Sequence, residues 1–420
     1  MKKIINIILI LLITGNIVIA QDGDSKLEIN GFVRTYLGVL TEDPQNFSIF
    51  QNTVNLELRK QTDNLAFYIN PYIYQYPGQT GNLDYGLREM YIDLYSDRYD
   101  LRIGKQQIIW GQADGVFITD IVSPKDLTEF LLRDFNEIRI GITSAKFNYY
   151  FNDANSLQLV WIPAFQPTIF PDVNSIWRPK MQIPLPLPVL EKDHSKINIP
   201  MRPENSEFFA KYSLNNATID LSIMGGYTWD DDPSIHITKI IDTATMHPKG
   251  IKLTPQYHRL ALAGGSFSTT IGSFVLRGEG AYYFGKNFNT LDPAATDALV
   301  EKDYINYVVG LDKTIGDWRL SGQFIQKAIL DYDDNLIQDQ YQNLATLLVS
   351  KTMFREKVRL EWFTYYGIDN EDALSRLRIF YMPYDALSFE FGANIFTGDK
   401  GLFGQYDKND MGYVRVKYSF

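Results

Sequence analysis

Apolar and polar residues alternate along nearly the whole chain, and the dominant period is two from end to end. In the segment 50–61, Val54, Leu56 and Leu58 stand against Asn55, Glu57 and Arg59. In 271–285, Phe274 and Leu276 oppose Arg277 and Glu279, and the chain ends with Val414, Val416, Tyr418 and Phe420 opposing Arg415, Lys417 and Ser419. Alternation of this kind puts each set of side chains on its own face of a strand. Eighteen such segments are predicted, near 26–39, 50–61, 65–75, 86–96, 99–110, 136–151, 155–166, 206–214, 217–229, 256–268, 271–285, 302–313, 316–330, 340–351, 355–367, 372–382, 385–397 and 410–420. Each is about as long as the 9–11 residues a tilted membrane strand requires, or longer.

The joints between them alternate as well. Short, turn-like joints at 62–64, 152–155, 214–216, 313–317 and near Pro383–Asp385 interleave with long ones at 41–49, 76–85, 111–135, 167–205, 230–255, 286–301, 331–339 and 398–409; 368–371 is the exception. Short periplasmic turns and long external loops are the asymmetry of outer-membrane barrels. The predicted fold class is therefore all-β, a transmembrane antiparallel β-barrel of about 18 strands (16–18). In hydrocarbon every backbone N–H and C=O must be bonded, so such a sheet closes on itself. At this strand number the interior is too wide for side chains to fill, and it holds water unless loops plug it.

Composition supports a membrane rather than a soluble β-protein. Hydrophobic residues make up 45% of the chain, with 27 Tyr and 26 Phe, yet after residue 20 no apolar run approaches a spanning helix. Residues 1–20 read as a signal peptide: Lys2 and Lys3, then an apolar run, then Val18-Ile19-Ala20 for cleavage. Residues 21–420 would form the barrel. Cys is absent, which fits a chain held by a closed sheet. The net charge of −10 argues against nucleic acid as a partner, because phosphate binding needs a basic face. The surplus acid is assigned to external loops, beside outer-membrane lipid, lipopolysaccharide and divalent cations.

One stretch breaks the alternation. After Trp110 and Gly111 the chain runs to residue 135 as a mixture of Asp114, Asp120, Asp126, Arg133 and Asp134 with apolar residues, and alternation resumes at Ile138, Ile140 and Ile142. A long excursion between two strands is uncommon without a task, and its apolar content argues against disorder. Residues 111–135 are expected to fold inward after strand 5 as a constriction loop, with Gly111 allowing the sharp departure. Asp114, Asp120, Arg133 and Asp134, with Arg102, Gln106 and Arg139 at its flanks, are the candidate pore-lining residues. Arg59, Arg277, Arg319, Arg359, Arg376, Arg378 and Arg415, with Glu57, Glu89, Asp93, Glu279, Glu361 and Glu390, also fall on the lumen face. A second unusual stretch, the external loop 167–205, contains the run IPLPLPVL, whose alternate prolines favour an extended, non-sheet chain.

Enzymatic chemistry finds little support. Of four His, three fall in loops, and no HExxH, GxSxG or phosphate-cradling glycine loop occurs. Asp230-Asp231-Asp232 reads as a solvated loop run, and no cofactor or metal is called for.

Residues 104–127, GKQQIIWGQADGVFITDIVSPKDL, resemble the signature region of a family of Gram-negative outer-membrane barrels of unassigned function. The pattern maps onto Gly104, Lys105, Gln106, Trp110, Gly111, Ala113, Asp114, Asp120, Pro124, Asp126 and Leu127, with Lys105 where Arg is commoner. A weaker similarity is to alginate-export-type porins. The resemblance implies a barrel linked to export of lipid or hydrophobic compounds, with an inner-membrane transporter as partner. The reading that results is a channel passing or exporting small or amphiphilic solutes; its alternative is a plugged barrel serving as a surface binding or structural protein.

Overall fold

The computed structural model describes residues 27–43, 46–77, 83–180 and 187–420. The N-terminal residues read as a signal peptide lie outside them.

The wall begins with β1 (Leu27–Leu40), β2 (Phe47–Gln61), β3 (Leu65–Gln75), β4 (Leu83–Tyr95), β5 (Tyr99–Gln106), β6 (Ile142–Asn152) and β7 (Asn155–Ile162). A short strand outside the wall, β8 (Val189–Lys192), comes next, and the wall resumes with β9 (Glu207–Asn215) and β10 (Ile219–Trp229). A hairpin outside the wall, β11 (Ser234–Ile241) and β12 (Pro248–Gln256), precedes β13 (Arg259–Ile271), β14 (Phe274–Asn289), β15 (Leu299–Ile315), β16 (Trp318–Ile329) and β17 (Tyr341–Met353). The wall ends with β18 (Val358–Gly367), β19 (Asp372–Tyr384), β20 (Leu387–Thr397) and β21 (Met411–Ser419).

Eighteen of these strands form one antiparallel sheet in which each pairs with its neighbour in the chain. It closes where β1 meets β21, from Phe32 opposite Ser419 to Leu40 opposite Met411. Closure leaves no edge strand, so the wall pairs its backbone along the sheet, and groups at bulges and strand ends turn to side chains, as Gly285 N does to Asp303 and Phe396 N to Asp410. The alternation predicted from sequence sets the two faces. Asn55 is 2% exposed on the lumen side of β2, whereas Ile92 and Leu94 on β4, Val309 and Leu311 on β15, and Leu377 and Ile379 on β19 stand exposed on the outside. An exposed apolar residue at every second position around a closed wall is a lipid-facing belt. Trp318, Tyr381, Tyr384, Tyr99 and Phe151 are exposed near the short-turn end, where aromatic rings suit the membrane–water boundary.

The long connections depart from expectation in two places. Residues 230–255, expected as a plain loop, carry the β11–β12 hairpin, and β8 adds to it in parallel through Val189 opposite Ile251. Val189 and Leu190 of the proline-rich run are thus in a sheet rather than an extended non-sheet rod; Pro184 and Pro186 lie outside the described residues. The second departure is at the excursion. The strand expected to reach Trp110 ends at Gln106, and the one expected from residue 136 begins at Ile142, because Phe135–Ile138 form a helical turn.

Candidate functional site

Gly104 adopts φ +138, and a Cβ there would collide with the backbone of Met90 and Tyr91 on β4. Two residues later the chain leaves the wall. Gly111 is not in a left-handed conformation; its role is close approach, since a Cβ would lie 3.0 Å from Cβ of Asp120.

The excursion is folded on itself. Ile108 N donates to Ser123 Oγ at 2.9 Å, Asp126 N to the Ile138 carbonyl at 2.6 Å, and Ile140 N to the Pro124 carbonyl at 2.8 Å. Asp120 is the centre of this knot: Trp110 N donates to its Oδ1 at 3.2 Å and Arg139 Nε donates to its Oδ2. Asp120 is 2% exposed. Further on, Arg133 bonds Asp126 at 2.5 Å and Glu129 at 3.0 Å. Burial opposes the Arg133 charge, but Glu129 and Asp126 outweigh it and raise its pKa above the ordinary value.

The folded excursion crosses to the far wall. Glu279 on β14 accepts from Gln112 N, from Thr119 N at 3.2 Å and from Thr119 Oγ1 at 2.7 Å. Gln323 on β16 donates to the Asp114 carbonyl at 2.7 Å and accepts from Asp114 N at 3.1 Å. Tyr365 on β18 donates to the Gly115 carbonyl at 2.8 Å. Arg376 on β19 donates to the Leu131 and Leu132 carbonyls at 2.9 and 3.0 Å, and Arg415 on β21 donates to Asp134 at 3.0 Å. Arg34 on β1 and Arg88 on β4 meet Glu137.

Apolar packing reinforces these ties. Ile108, Trp110 and Val122 pack on Val160, Phe209, Met224 and Leu262, and Ile118 packs on Val308 and Ile325. Phe130 and Leu132 join a larger cluster with Trp177, Leu348, Phe363, Tyr365, Phe396, Phe403 and Tyr406. Burying each such side chain contributes about 2 kcal/mol. Much of the lumen wall at this level is thus apolar rather than the charged lining expected, because it faces a packed segment instead of water.

The candidate residues therefore separate. Gln106, expected to line the lumen, is 0% exposed and donates to the Ser144 carbonyl at 3.2 Å. Asp120 and Arg139 are likewise taken up in holding the excursion together. Arg102 lies in a bidentate pair with Asp93, at 2.6 and 2.9 Å, under Tyr91. Asp114 and Asp134 stay partly open to the lumen. Asp114 accepts from Arg277 and, at 3.0 Å, from Arg319. For Asp134, burial pushes the carboxyl up, but Arg415, Arg34, Arg378 and Arg376 overcome it and hold it well below the usual carboxylate range. The signature residues share one property: Trp110 donates through Nε1 to Gln158 at 2.6 Å, Ala113 packs near Ile118, and Leu127 N bonds the Ile169 carbonyl at 2.8 Å. With Gly104, Pro124 and Asp126, they shape and dock the excursion.

Three cavities flank it. One of about 860 Å³ lies over β1–β4, between Tyr72, Tyr74, Arg88, Arg133 and Trp177. One of about 230 Å³ is bounded by Asp114, Asp134, Arg319, Glu361, Arg376 and Arg378. The third, about 440 Å³, lies between Ile118, Lys125, Leu262, Tyr283, Ile325 and Lys327. Sequence reasoning missed Lys125, Lys286 and Lys327. Lys286 reaches the lumen only because a bulge at Phe284–Gly285 shifts the register of β14, and Gly285 supplies φ +65 for it.

Solved structures share this fold at very low identity. OccK8 (OprE) of Pseudomonas aeruginosa matches with a TM-score of 0.55 and 9% identity, over 94% of this chain and 98% of that one. OccK2 (OpdF) of the same organism, in complex with glucuronate, gives 0.54 and 9%, over 94% and 97%. OccAB3 of Acinetobacter baumannii gives 0.53 and 9%, over 94% and 99%. No curated protein matches the sequence. The family model described as "Protein of unknown function (DUF1302)" matches residues 59–420, and the chain belongs to that family. Its closed 18-strand wall shares the fold of these barrels.

Proposed function

We propose that this member of the DUF1302 family is an outer-membrane channel for small or amphiphilic solutes, narrowed by residues 107–141. The observation that carries the reading is the crossing itself. A segment that leaves the wall after β5 and is fixed to β14, β16, β18, β19 and β21 divides the lumen into separate cavities. Any solute has to pass beside it. Asp114 and Asp134, facing Arg277, Arg319 and Arg415, form the charged margin of the narrow part. Charged residues around a constriction set ion preference. Similarity to OccK2, which was crystallised with glucuronate, is in keeping with small-solute passage.

The same observation supports a second reading, a plugged barrel that displays its external loops for binding, since the excursion touches most of the circumference. Planar-bilayer recording of the purified, folded protein separates the two. Steady ohmic steps establish the channel. Silence over many insertions, with heat-modifiable migration intact, establishes the plug.

A further inference from the structure

The 440 Å³ cavity is built unlike the other two. Its floor and sides are apolar, from Ile118 of the excursion to Leu260 and Leu262 on β13, Ile325 on β16 and Leu344 on β17. Its volume falls in the range of roughly 300–1,000 Å³ common for small-molecule sites. At this apolar surface stand two lysines, Lys125 and Lys327, whose ammonium groups make no ion pair or hydrogen bond among the described residues; Lys327 is exposed, and Lys125 lies 5.3 Å over the Phe117 ring. An unpaired ammonium beside apolar surface is costly to desolvate and gains most from an anionic partner.

Asn306 adds an independent observation. It stands opposite Lys327 across the β15–β16 pair, so the two side chains are neighbours on the lumen face. It also lines the cavity, is 6% exposed, and its Oδ1 is buried without a partner. The oxygen and nitrogen of a side-chain amide exchange places by a half-turn, so the same group presents N–H donors to an anion.

The carboxylates nearby leave the lysines free. Asp230 is held by Lys286 at 2.5 Å. Asp231 is pushed well above the ordinary carboxylate range by burial, with Glu207, Asp232 and Asp230 adding to the shift against Lys125. Asp120 is bound by Arg139. Asp232 remains: it lines the cavity, is exposed, and its charge favours the Lys327 ammonium without bonding either lysine.

We propose that this vestibule binds amphiphilic monoanions of the medium-chain fatty acid or alkyl sulfonate class. The anionic head lies among Lys327, Asn306 and Lys125, and the alkyl chain lies on Ile118, Leu260, Leu262 and Ile325. The proposal rests on the channel reading for its role in transport, though not for binding itself.

The test uses the full-length protein in lipid nanodiscs, with equilibrium dialysis of labelled octanoate against empty discs. Saturable binding is expected, lost by at least about tenfold in Lys125→Gln/Lys327→Gln, as removing charge-assisted hydrogen bonds predicts. Asn306→Leu should weaken it less. Octyltrimethylammonium should not compete, and neither should acetate, which has the head without the chain. Equal binding by wild type and the double variant, or equal competition by the cationic amphiphile, overturns the proposal. Conductance measured on the same preparations decides the channel reading separately: a silent barrel that still binds octanoate through the lysines loses the channel and keeps the site. Heat-modifiable migration confirms that each variant is folded.

Discussion

The hydroxyl of Tyr365 donates to the carbonyl of Gly115 at 2.8 Å, joining two residues 250 positions apart across the lumen. Tyr365 is fully buried, and Gly115, at φ +78, lies so close to the rings of Phe363 and Tyr365 that a Cβ would collide with them. Tyr365→Phe removes the donor and leaves a buried carbonyl unsatisfied, at a cost of about 1–3 kcal/mol. The barrel should remain folded, because its closure depends on backbone pairing elsewhere. Amides of 107–141 should exchange about tenfold faster in deuterium exchange, with wall amides unchanged. Equal protection in the excursion would show that this bond does not hold it.

Asp120 offers a stronger lever. Asp120→Ala leaves Arg139 buried without its carboxylate and the Trp110 N–H without an acceptor. Breaking a buried pair in this way costs about 3–5 kcal/mol. Undocking of the excursion should raise single-channel conductance and add current noise. Removing both charges, as in Asp120→Ala/Arg139→Met, should restore part of the wild-type behaviour, since no buried charge is then left unpaired. A double variant as noisy as the single one would place the effect outside this pair.

Asp114 acts on charge rather than docking. Its carboxylate accepts from Arg277 and Arg319 and remains partly open to the lumen. Asp114→Ala keeps the backbone bonds to Gln323, frees the Arg319 guanidinium and leaves Arg277 with Asp312 as its one carboxylate. Reversal potentials in a KCl gradient should shift toward anion preference. An unshifted potential in an otherwise conducting variant would remove Asp114 from the path of the ions.

The barrel was legible because period-two alternation has few other causes when it lasts for a whole chain and its joints alternate in length. The lumen frames of Asn55, Arg277, Glu279 and Arg415 followed directly from it. The ends of the excursion were misread for a physical reason. Ile108, Trp110, Ile138 and Ile140 continue the alternation, yet Ile108 and Trp110 serve a core inside the barrel, Ile138 is buried in the helical turn and Ile140 lines a cavity. Burial in lipid and burial under a docked loop select the same residue types. The division of labour among the acids was hidden likewise, since the burial of Asp120 beside Arg139 and the openness of Asp114 beside Arg277 and Arg319 are set by the fold and not by the residue type. Lys286 was illegible because a bulge reverses the frame from which its direction would be read.

The external hairpin is predicted to loosen in acid. Nε2 of His236 lies 3.0 Å from Nε2 of His258, and Nδ1 of His236 lies 3.0 Å from Asp297. The contact between the two rings has room for one proton, so protonating both imidazoles sets two N–H groups against each other. Burial first, and His236 second, push the His258 pKa below its ordinary value, while Asp230 and Glu301 pull against them. The fold therefore favours neutral His258. Its contribution to stability is complete above the unfolded value near 6.5 and is lost as pH falls through the lower folded value. Between pH 7.5 and 5, deuterium exchange corrected for intrinsic rates should increase in β11 and at the start of β13, with β19 and β20 unaffected. His258→Gln keeps a side chain able to donate and has no titration at that position, so the loosening that comes from the clash of the two rings should be lost in it. If the variant loosened in acid as the wild type does, the acid response would arise from other groups, with the nearby carboxylates as the next to replace.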